Sequence, residues 1–206
     1  MPSSTSFVVI SWVDVKDWSE SVPSVDEVRP KRCSHCGGAS RPVGAGLMIW
    51  GHGLRMRQFL GIFAIDATPQ NVTVDIRRYL CRYEGCGKTI TVLPRQAVPG
   101  RRYLLGTIVL ALAMWTVAAT PLASHDVRHK LSPFQLPPHH TWWRCWPQMF
   151  RWADAPQRFG VSISGEMGRR GRAERIVQSF ISKAPPSTRG DPLEERAFVG
   201  ASNHPV

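Results

Sequence analysis

The sequence predicts an α+β protein in which a small β domain precedes a helical domain, and two observations lead to this prediction. Short aliphatic or alternating segments, typical of strands, lie between residues 7 and 93, whereas helical periodicity begins near residue 102. Paired cysteines occur only in the strand-rich half. We divide the chain into an N-terminal strand with an acidic loop (1–30), a β domain (31–98), a helical domain (99–160), and a basic helix with a disordered tail (161–206).

The individual elements are predicted from periodicity and from turn residues. The predicted strands are 7–13, the alternating segment 71–80, 88–93 ending at Pro94, and a hairpin of 47–50 and 54–60 around the turn Gly51-His52-Gly53. The predicted helices are 102–119, a weaker one over 121–131 that starts at Thr120-Pro121, 141–153 with a break at Pro147, and 166–183. The tail after residue 184 is rich in Pro, Ser and Gly.

Positive charge is concentrated around the cysteines. The whole chain has a formal net charge of +11. Residues 1–30 hold two basic and five acidic groups, whereas 31–102 hold twelve basic and three acidic groups, a net charge of +9. A basic surface of this density attracts a polyanion, and nucleic acid is the commonest one.

One uncharged segment, 103–124, is long enough to cross a membrane. Gly, Thr and Pro residues dilute its hydrophobicity, so we favour a buried helix and keep a membrane span as the alternative. The first residues lack the positive charge of a secretion signal. We therefore expect the protein in the cytoplasm, where cysteines stay reduced and metal binding is the main use of paired thiols.

Four of the five cysteines form two closely spaced pairs, C-x2-C and C-x4-C, separated by 44 residues. Two such pairs supply the four thiolates of a tetrahedral Zn2+ site. A glycine follows each pair, Gly37 and Gly87, where the turn needs a positive φ that glycine adopts freely. The pattern predicts a zinc ribbon with a closed, structural Zn2+ site whose ligands are Cys33, Cys36, Cys81 and Cys86.

The spacing of the cysteines and histidines also bears on other kinds of site. A two-Cys two-His finger fails, because no histidine pair follows Cys86 at the needed distance. An iron–sulfur cluster with four Cys ligands stays open on spacing alone, whereas two pairs that each have a glycine and flanking strands argue against isolated buried thiols. We expect Cys145, the odd cysteine, to pack in the core and His35 to be a surface side chain rather than a ligand.

The run CRYEGCGKTITVLP (81–94), followed by VPGRRYLLGTIVLALAMW (98–115), resembles the zinc-ribbon and helical region of bacterial transposase-related and mobile-element proteins. In that resemblance, HDVRHKLSP (125–133) and TWWRCWPQMFRW (141–152) correspond to the two helices of a helix-turn-helix. It implies a helix-turn-helix-like helical domain, DNA as the ligand, and a transposase or recombinase as a partner. It covers roughly residues 31–153.

These observations together predict a DNA-binding protein with structural zinc and without a catalytic domain. Residues 31–150 contain only four carboxylates, none in a recognisable catalytic motif, so we expect no enzymatic activity. The alternatives are a small membrane protein with a cytoplasmic zinc ribbon and a ribbon that only docks proteins. The tryptophans of 141–152 predict core packing rather than base stacking. The candidate nucleic-acid-binding residues are Arg77, Arg78, Arg82, Lys88, Arg101, Arg102, Arg144 and Arg151.

Overall fold

A computed structural model describes residues 7–134 and 146–204. The chain forms two compact units. The first comprises residues up to 58 together with 72–100, and the second comprises 59–71 and 101–204. Strands and helices occur together, which confirms the α+β class at this level.

The four strands form a single mixed sheet. They are β1 (Phe7–Asp14), β2 (Ile49–Gly61), β3 (Gln70–Cys81) and β4 (Thr89–Arg95), and their order in the sheet is β1-β4-β3-β2. β4 is parallel to β1 and antiparallel to β3. The strands predicted at 7–13 and 71–80 are therefore confirmed. In β3, Val74 and Ile76 are buried, whereas Thr73, which belongs to the other face, is exposed, as the alternation predicts.

The predicted hairpin around Gly51-His52-Gly53 is wrong, because β2 runs through these residues without a reversal. Gly51 lies against Val25, and a Cβ on this glycine would stand 2.9 Å from Val25 Cγ1. Gly53 has a φ of +85°. A glycine inside a strand often marks a close approach or an irregularity rather than a turn, and both glycines act in this way here.

Strand β4 continues through Pro94, where we predicted its end. Its pairing with β3 involves only residues 89–91. On the other side, the ladder with β1 is irregular between Ile10, which pairs with Leu93, and Asp14, which pairs with Arg95. Pro94 therefore lies where neither ladder needs its missing N–H group, and a strand tolerates proline at such a position.

One short helix in the first unit joins β1 to the rest of the chain. Helix α1 (Val15–Glu20) begins after Asp14, whose carboxylate accepts a hydrogen bond from the Lys16 amide. Trp18 is buried, and its indole N–H donates to the carbonyl of Asp75 in β3. Helix α1 is thereby fixed against the sheet.

The second unit is built around a short apolar helix, α2 (Leu105–Thr116), which is buried from Leu105 to Ala113. Its neighbours are α3 (Ser124–Leu131), α4 (Pro147–Ala153), α5 (Arg169–Ile181) and α6 (Leu193–Ser202), with 3₁₀ turns at Pro156–Phe159 and Pro186–Thr188. Helix α2 is shorter than the predicted 102–119. No helix in the described residues is long and apolar enough to cross a membrane.

Of the other three helix predictions, one needs correction, one falls partly outside the described residues and one is confirmed. Helix α3 starts at Ser124 rather than at Thr120-Pro121. Helix α4 starts at Pro147, where proline is favoured because the first-turn N–H has no helical partner. Residues 141–145 of that predicted helix lie outside the described part of the chain. The helix predicted at 166–183 is confirmed as α5.

The tail predicted after residue 184 contains helix α6, whose Ala197, Phe198 and Ala201 are buried. It packs against α2 and α5. Gly200 makes the approach to α5 close, since a Cβ there would lie 2.0 Å from the carbonyl oxygen of Phe180. The end of the chain is thus part of the second core.

Core packing by the tryptophans is confirmed where the structure describes them. Trp146 and Trp152 are buried, with ring centroids 5.1 Å apart. Both rings also make edge-on contacts with Tyr103 at about the same distance, 5.4 and 5.3 Å. Trp142 and Trp143 lie outside the described residues.

Candidate metal centre

The first cysteine turn is closed by backbone hydrogen bonds. Arg32 and Ala39 form an isolated antiparallel bridge on either side of it. Within the turn, the Cys33 amide donates to the Gly38 carbonyl at 2.8 Å, and the Gly37 amide donates to the Cys33 carbonyl at 2.9 Å. Gly37 has a φ of +74°, which confirms the role predicted for this glycine.

The second cysteine turn joins β3 to β4. The Cys81 amide donates to the Lys88 carbonyl, and the Cys86 amide donates to the Tyr83 carbonyl, both at 3.0 Å. Gly87 has a φ of +56°, as predicted, and Gly85 also has a positive φ, which we did not predict. Each pair of cysteines is therefore held on the tip of a tight, hydrogen-bonded turn.

Interactions outside the thiols already hold the two turns together. Tyr83, in the second turn, donates a hydrogen bond from its hydroxyl to the carbonyl of Ala39. The Arg82 amide donates to the Met48 carbonyl, and the Met48 amide donates to the Ser40 carbonyl. Through Met48, these two hydrogen bonds link Arg82 in the second cysteine turn to Ser40, which follows the first cysteine turn.

The four thiols meet between the turns. Their sulfur atoms all lie within 4.8 Å of one another. The Cys33 and Cys86 sulfurs are 3.8 Å apart, and the Cys36 and Cys81 sulfurs are 3.7 Å apart. Metal–sulfur bonds of about 2.3 Å in a tetrahedron would place sulfurs about 3.8 Å apart. The donor set and its spacing therefore fit a metal ion.

The thiols differ in acidity because of their surroundings. Burial alone would raise the pKa of Cys33, but hydrogen bonds from the Cys36 and His35 amides, and from neighbouring thiols, lower it to about 7. Burial, reinforced by the other thiols of the cluster, raises the pKa of Cys81 to about 12, and burial raises the pKa of Cys86. A bound cation is what would let such thiols ionise side by side.

Histidine and carboxylate side chains do not join this cluster in the described residues. The His35 ring lies against the ring of Phe7, with centroids 4.7 Å apart, so it packs beside the site. Cys145 lies outside the described residues. A metal held by the four thiolates would have a closed protein shell and no open position for a substrate.

The basic residues predicted on the first unit have different environments. Arg82 and Lys88 are exposed on the second cysteine turn, and the Arg82 guanidinium lies over the Trp50 ring at 4.9 Å from its centroid. Arg77 and Arg78 are neighbours in β3 and point to opposite faces of the sheet. Arg77 donates to the Pro23 carbonyl, so this side chain supports the fold.

In the second unit, the structure brings together two of the predicted arginines and a third one. Burial, followed by the positive charges of Arg158 and Arg151, lowers the pKa of Arg101. Arg158 was missed, although it is seven residues after Arg151, the same spacing that relates Arg144 to Arg151. Arg102 is exposed, and Arg144 lies outside the described residues.

The class of protein defined by these observations is an α+β protein with a closed four-cysteine cluster and a separate helical unit. The chain matches no family model, no curated protein and no solved structure. Its function therefore has to be argued from the site and from the charges on its surface.

Proposed function

We propose that the protein binds DNA through its phosphates and that a structural zinc ion orders its first unit as a zinc ribbon. The observation that carries the proposal is the net charge of +9 over residues 31–102, which includes Arg101; Arg151 and Arg158 are exposed in the same unit as Arg101 and act on it electrostatically. These side chains come from a loop, from α4 and from a 3₁₀ turn. A concentration of like charge assembled from three segments favours a polyanionic ligand, and phosphates are the groups that arginine binds best.

Zinc is the metal we propose for the thiol cluster. A donor set made only of thiolates suits zinc or an iron–sulfur centre, and the sulfur spacing fits a single tetrahedral ion. With four protein ligands the ion contributes to folding rather than to catalysis. The thiols must stay reduced to bind zinc, and the cytoplasm is a reducing compartment, so we propose that the protein is cytoplasmic.

We propose that α3 and α4 form a helix-turn-helix-like pair, as the resemblance to transposase-related proteins implies. Helix α4 has seven residues and buries Met149, Trp152 and Ala153, which leaves Arg151 among its exposed side chains. So short an exposed face favours phosphate contacts over base contacts. Phosphate contacts give affinity and orientation without sequence specificity. A transposase or recombinase partner, supplying catalysis that this chain lacks, completes the proposal.

The proposal is tested by measuring duplex DNA affinity by fluorescence anisotropy between about 50 and 200 mM salt. We expect the logarithm of the affinity to fall linearly with the logarithm of salt concentration, with a slope of about −0.9 per neutralised phosphate. Arg151→Gln and Arg158→Gln should each reduce the size of this slope by about 1. Arg189→Gln removes an exposed arginine of the same unit outside the group and is the matched control.

Two results would contradict the proposal. A protein that contains zinc but has no salt-dependent affinity for DNA would instead be a protein-docking ribbon. Equal effects of the Arg151, Arg158 and Arg189 substitutions would show that only total charge matters and that the grouped arginines are not a binding site.

A further inference from the structure

Strand β2 exposes apolar side chains in the first unit. It is an edge strand of the sheet, and every residue from Trp50 to Met56 is exposed. Trp50 is 48% exposed, Leu54 46% and Met56 74%. Apolar side chains grouped on an exposed edge strand are unusual, because such edges invite unwanted pairing unless they have a use.

Trp50 is held in a fixed orientation by its own chain. Its indole N–H donates to the Leu47 carbonyl, so the polar group of the ring is already satisfied. The Arg82 guanidinium lies over the ring, and Arg82 is itself tied to this segment by its amide hydrogen bond to Met48. Because Arg82 directly follows the cluster residue Cys81, the cysteine turn positions the cation that supports the ring.

The charge around this strand selects one kind of ligand. On β2 itself the charged side chains are Arg55 and Arg57, and the strand contains no Asp or Glu. Arg55 is exposed between Leu54 and Met56 on the opposite face of the strand, and Arg82 is the cation that lies on the Trp50 ring. A second copy of the chain paired along this edge would bring the same arginines close to one another, which is unfavourable. A polyanion that also presents flat apolar faces would match both the exposed apolar side chains and the positive charge.

We propose that Trp50, supported by Arg82, is a stacking platform for an unpaired base, and that Arg82 binds a flanking phosphate of a single-stranded nucleic acid. This inference rests on the proposed function and makes it more specific. In a duplex the faces of the bases are covered by their neighbours, whereas in a single strand they are available to an exposed indole. The protein therefore has a preference for single-stranded segments that its helical unit does not supply.

The test compares Trp50→Ala with Trp12→Ala in the full-length, metal-loaded protein. Trp12 is 70% exposed on β1, at the opposite edge of the sheet, and is the matched control. Affinities are measured for an oligothymidylate, an oligouridylate and a duplex of equal length. Trp50→Ala should weaken single-strand binding about five- to 150-fold, the range for the loss of one stacked base. Duplex binding by this variant should stay within about twofold, and Trp12→Ala should change neither.

A second pair of variants separates stacking from packing. Trp50→Phe keeps an aromatic face, and Trp50→Leu keeps apolar bulk without one. We expect Phe to retain most of the single-strand affinity and Leu to lose it, with metal content and thermal unfolding unchanged in both. Equal affinity of the Phe and Leu variants would overturn the inference.

The remaining outcomes separate this inference from the proposed function. Loss of affinity on either single strand supports the inference, and the stronger loss identifies DNA or RNA as the ligand. An equal loss on duplex and single strand, or Trp50-dependent binding to phosphatidylserine vesicles instead, would overturn it while leaving DNA binding in place. Failure of the unmodified protein to bind any of the three nucleic acids would overturn the proposed function itself.

Discussion

The hydroxyl of Tyr83 donates a 3.0 Å hydrogen bond to the carbonyl oxygen of Ala39, which joins the two cysteine turns without any metal. The same ring lies against Gly38, where a Cβ would stand 2.4 Å from Tyr83 Cε2. Gly38 therefore has to be glycine for a steric reason, because its φ is not positive. Tyr83 and Gly38 together determine how closely the two halves of the thiol cluster approach each other.

Gly38→Ala should displace the Tyr83 ring and lower the free energy of unfolding by about 1–3 kcal/mol, the usual cost of overpacking. The measurement is chemical denaturation of the metal-loaded protein. Gly46→Ala is the control, since nothing lies within 4 Å of a Cβ at that position. If Gly38→Ala is as stable as Gly46→Ala, the close approach to Tyr83 does not exist in solution.

Cys36→Ser should abolish tight metal binding. Cys36 is the exposed member of the cluster, so its replacement disturbs the core least and reports on the metal itself. Structural zinc sites contribute about 10–16 kcal/mol of apparent binding free energy, so we expect the first unit to unfold without the ion. Elemental analysis and circular dichroism of the purified variant measure both effects.

Cys145→Ser is the control for this experiment, because it removes the one cysteine that belongs to neither pair. It should keep a full complement of metal. Retention of one metal per chain by Cys36→Ser would mean that the ion is held elsewhere. An iron–sulfur absorption spectrum of the unmodified protein would show that the cofactor is an iron–sulfur cluster instead of zinc.

The ion pairs of Asp154 with Arg169 and Arg172 should stabilise the second unit near neutral pH, and this stabilisation should be lost in acid when Asp154 is protonated. Hydrogen bonds from Arg169 chiefly, and also from Arg172, lower the pKa of Asp154 from its ordinary value of 3.8. A lowered native pKa means that the pairs stabilise the fold above pH 3.8 and that this contribution disappears as the pH falls through the native pKa. Since the carboxylate is partly exposed, the contribution is at most about 1 kcal/mol.

Asp154→Asn should therefore be less stable than the unmodified protein near neutral pH, and the difference should vanish in strong acid. Thermal unfolding across the pH range measures it. Asp191→Asn is the comparison, because Asp191 is an exposed aspartate of the same unit that follows a 3₁₀ turn. A difference between Asp154→Asn and the unmodified protein that does not change with pH would contradict the ion-pair explanation.

Gly200→Ala should destabilise the second unit by about 1–3 kcal/mol or more, because the new methyl group meets the backbone carbonyl of Phe180 rather than a flexible side chain. Gly190→Ala, in open space three residues before the start of α6, is the control. Differential scanning calorimetry compares the two. Equal stability of the variants would mean that α6 is not packed on α5 in solution.

The sequence predicted the parts of this molecule that depend on neighbouring residues. Alternation predicted β3, and the two cysteine spacings predicted which four thiols come together. The glycines after each pair were predicted because their φ angles depend only on the local turn. The alternation, the glycine turns and the spacing within each cysteine pair are determined within about ten residues of chain, whereas the meeting of the two pairs was predicted from the four-thiol donor set that a metal needs.

The parts that were predicted wrongly depend on distant residues. Gly51-His52-Gly53 resembles a turn, but strand β2 runs through it, and Val25, which is distant in the sequence, packs against Gly51. Helix α6 has buried Ala197, Phe198 and Ala201 at helical spacing, a signal that the surrounding Pro, Ser and Gly obscured. The grouping of Arg158 with Arg101 requires the fold of the second unit and has no local signature.

The parallel pairing of β1 with β4 has a consequence for protein synthesis. β1 ends at residue 14 and β4 begins at residue 89, so 74 residues separate the two partners in the chain. At a translation rate of about 5–20 residues per second, about 4–15 s pass between the synthesis of β1 and the synthesis of β4. During that time Val8 and Ile10 are uncovered and the first cysteine pair has no second pair to meet. We therefore expect a nascent chain that is released before residue 95 to aggregate and to bind chaperones.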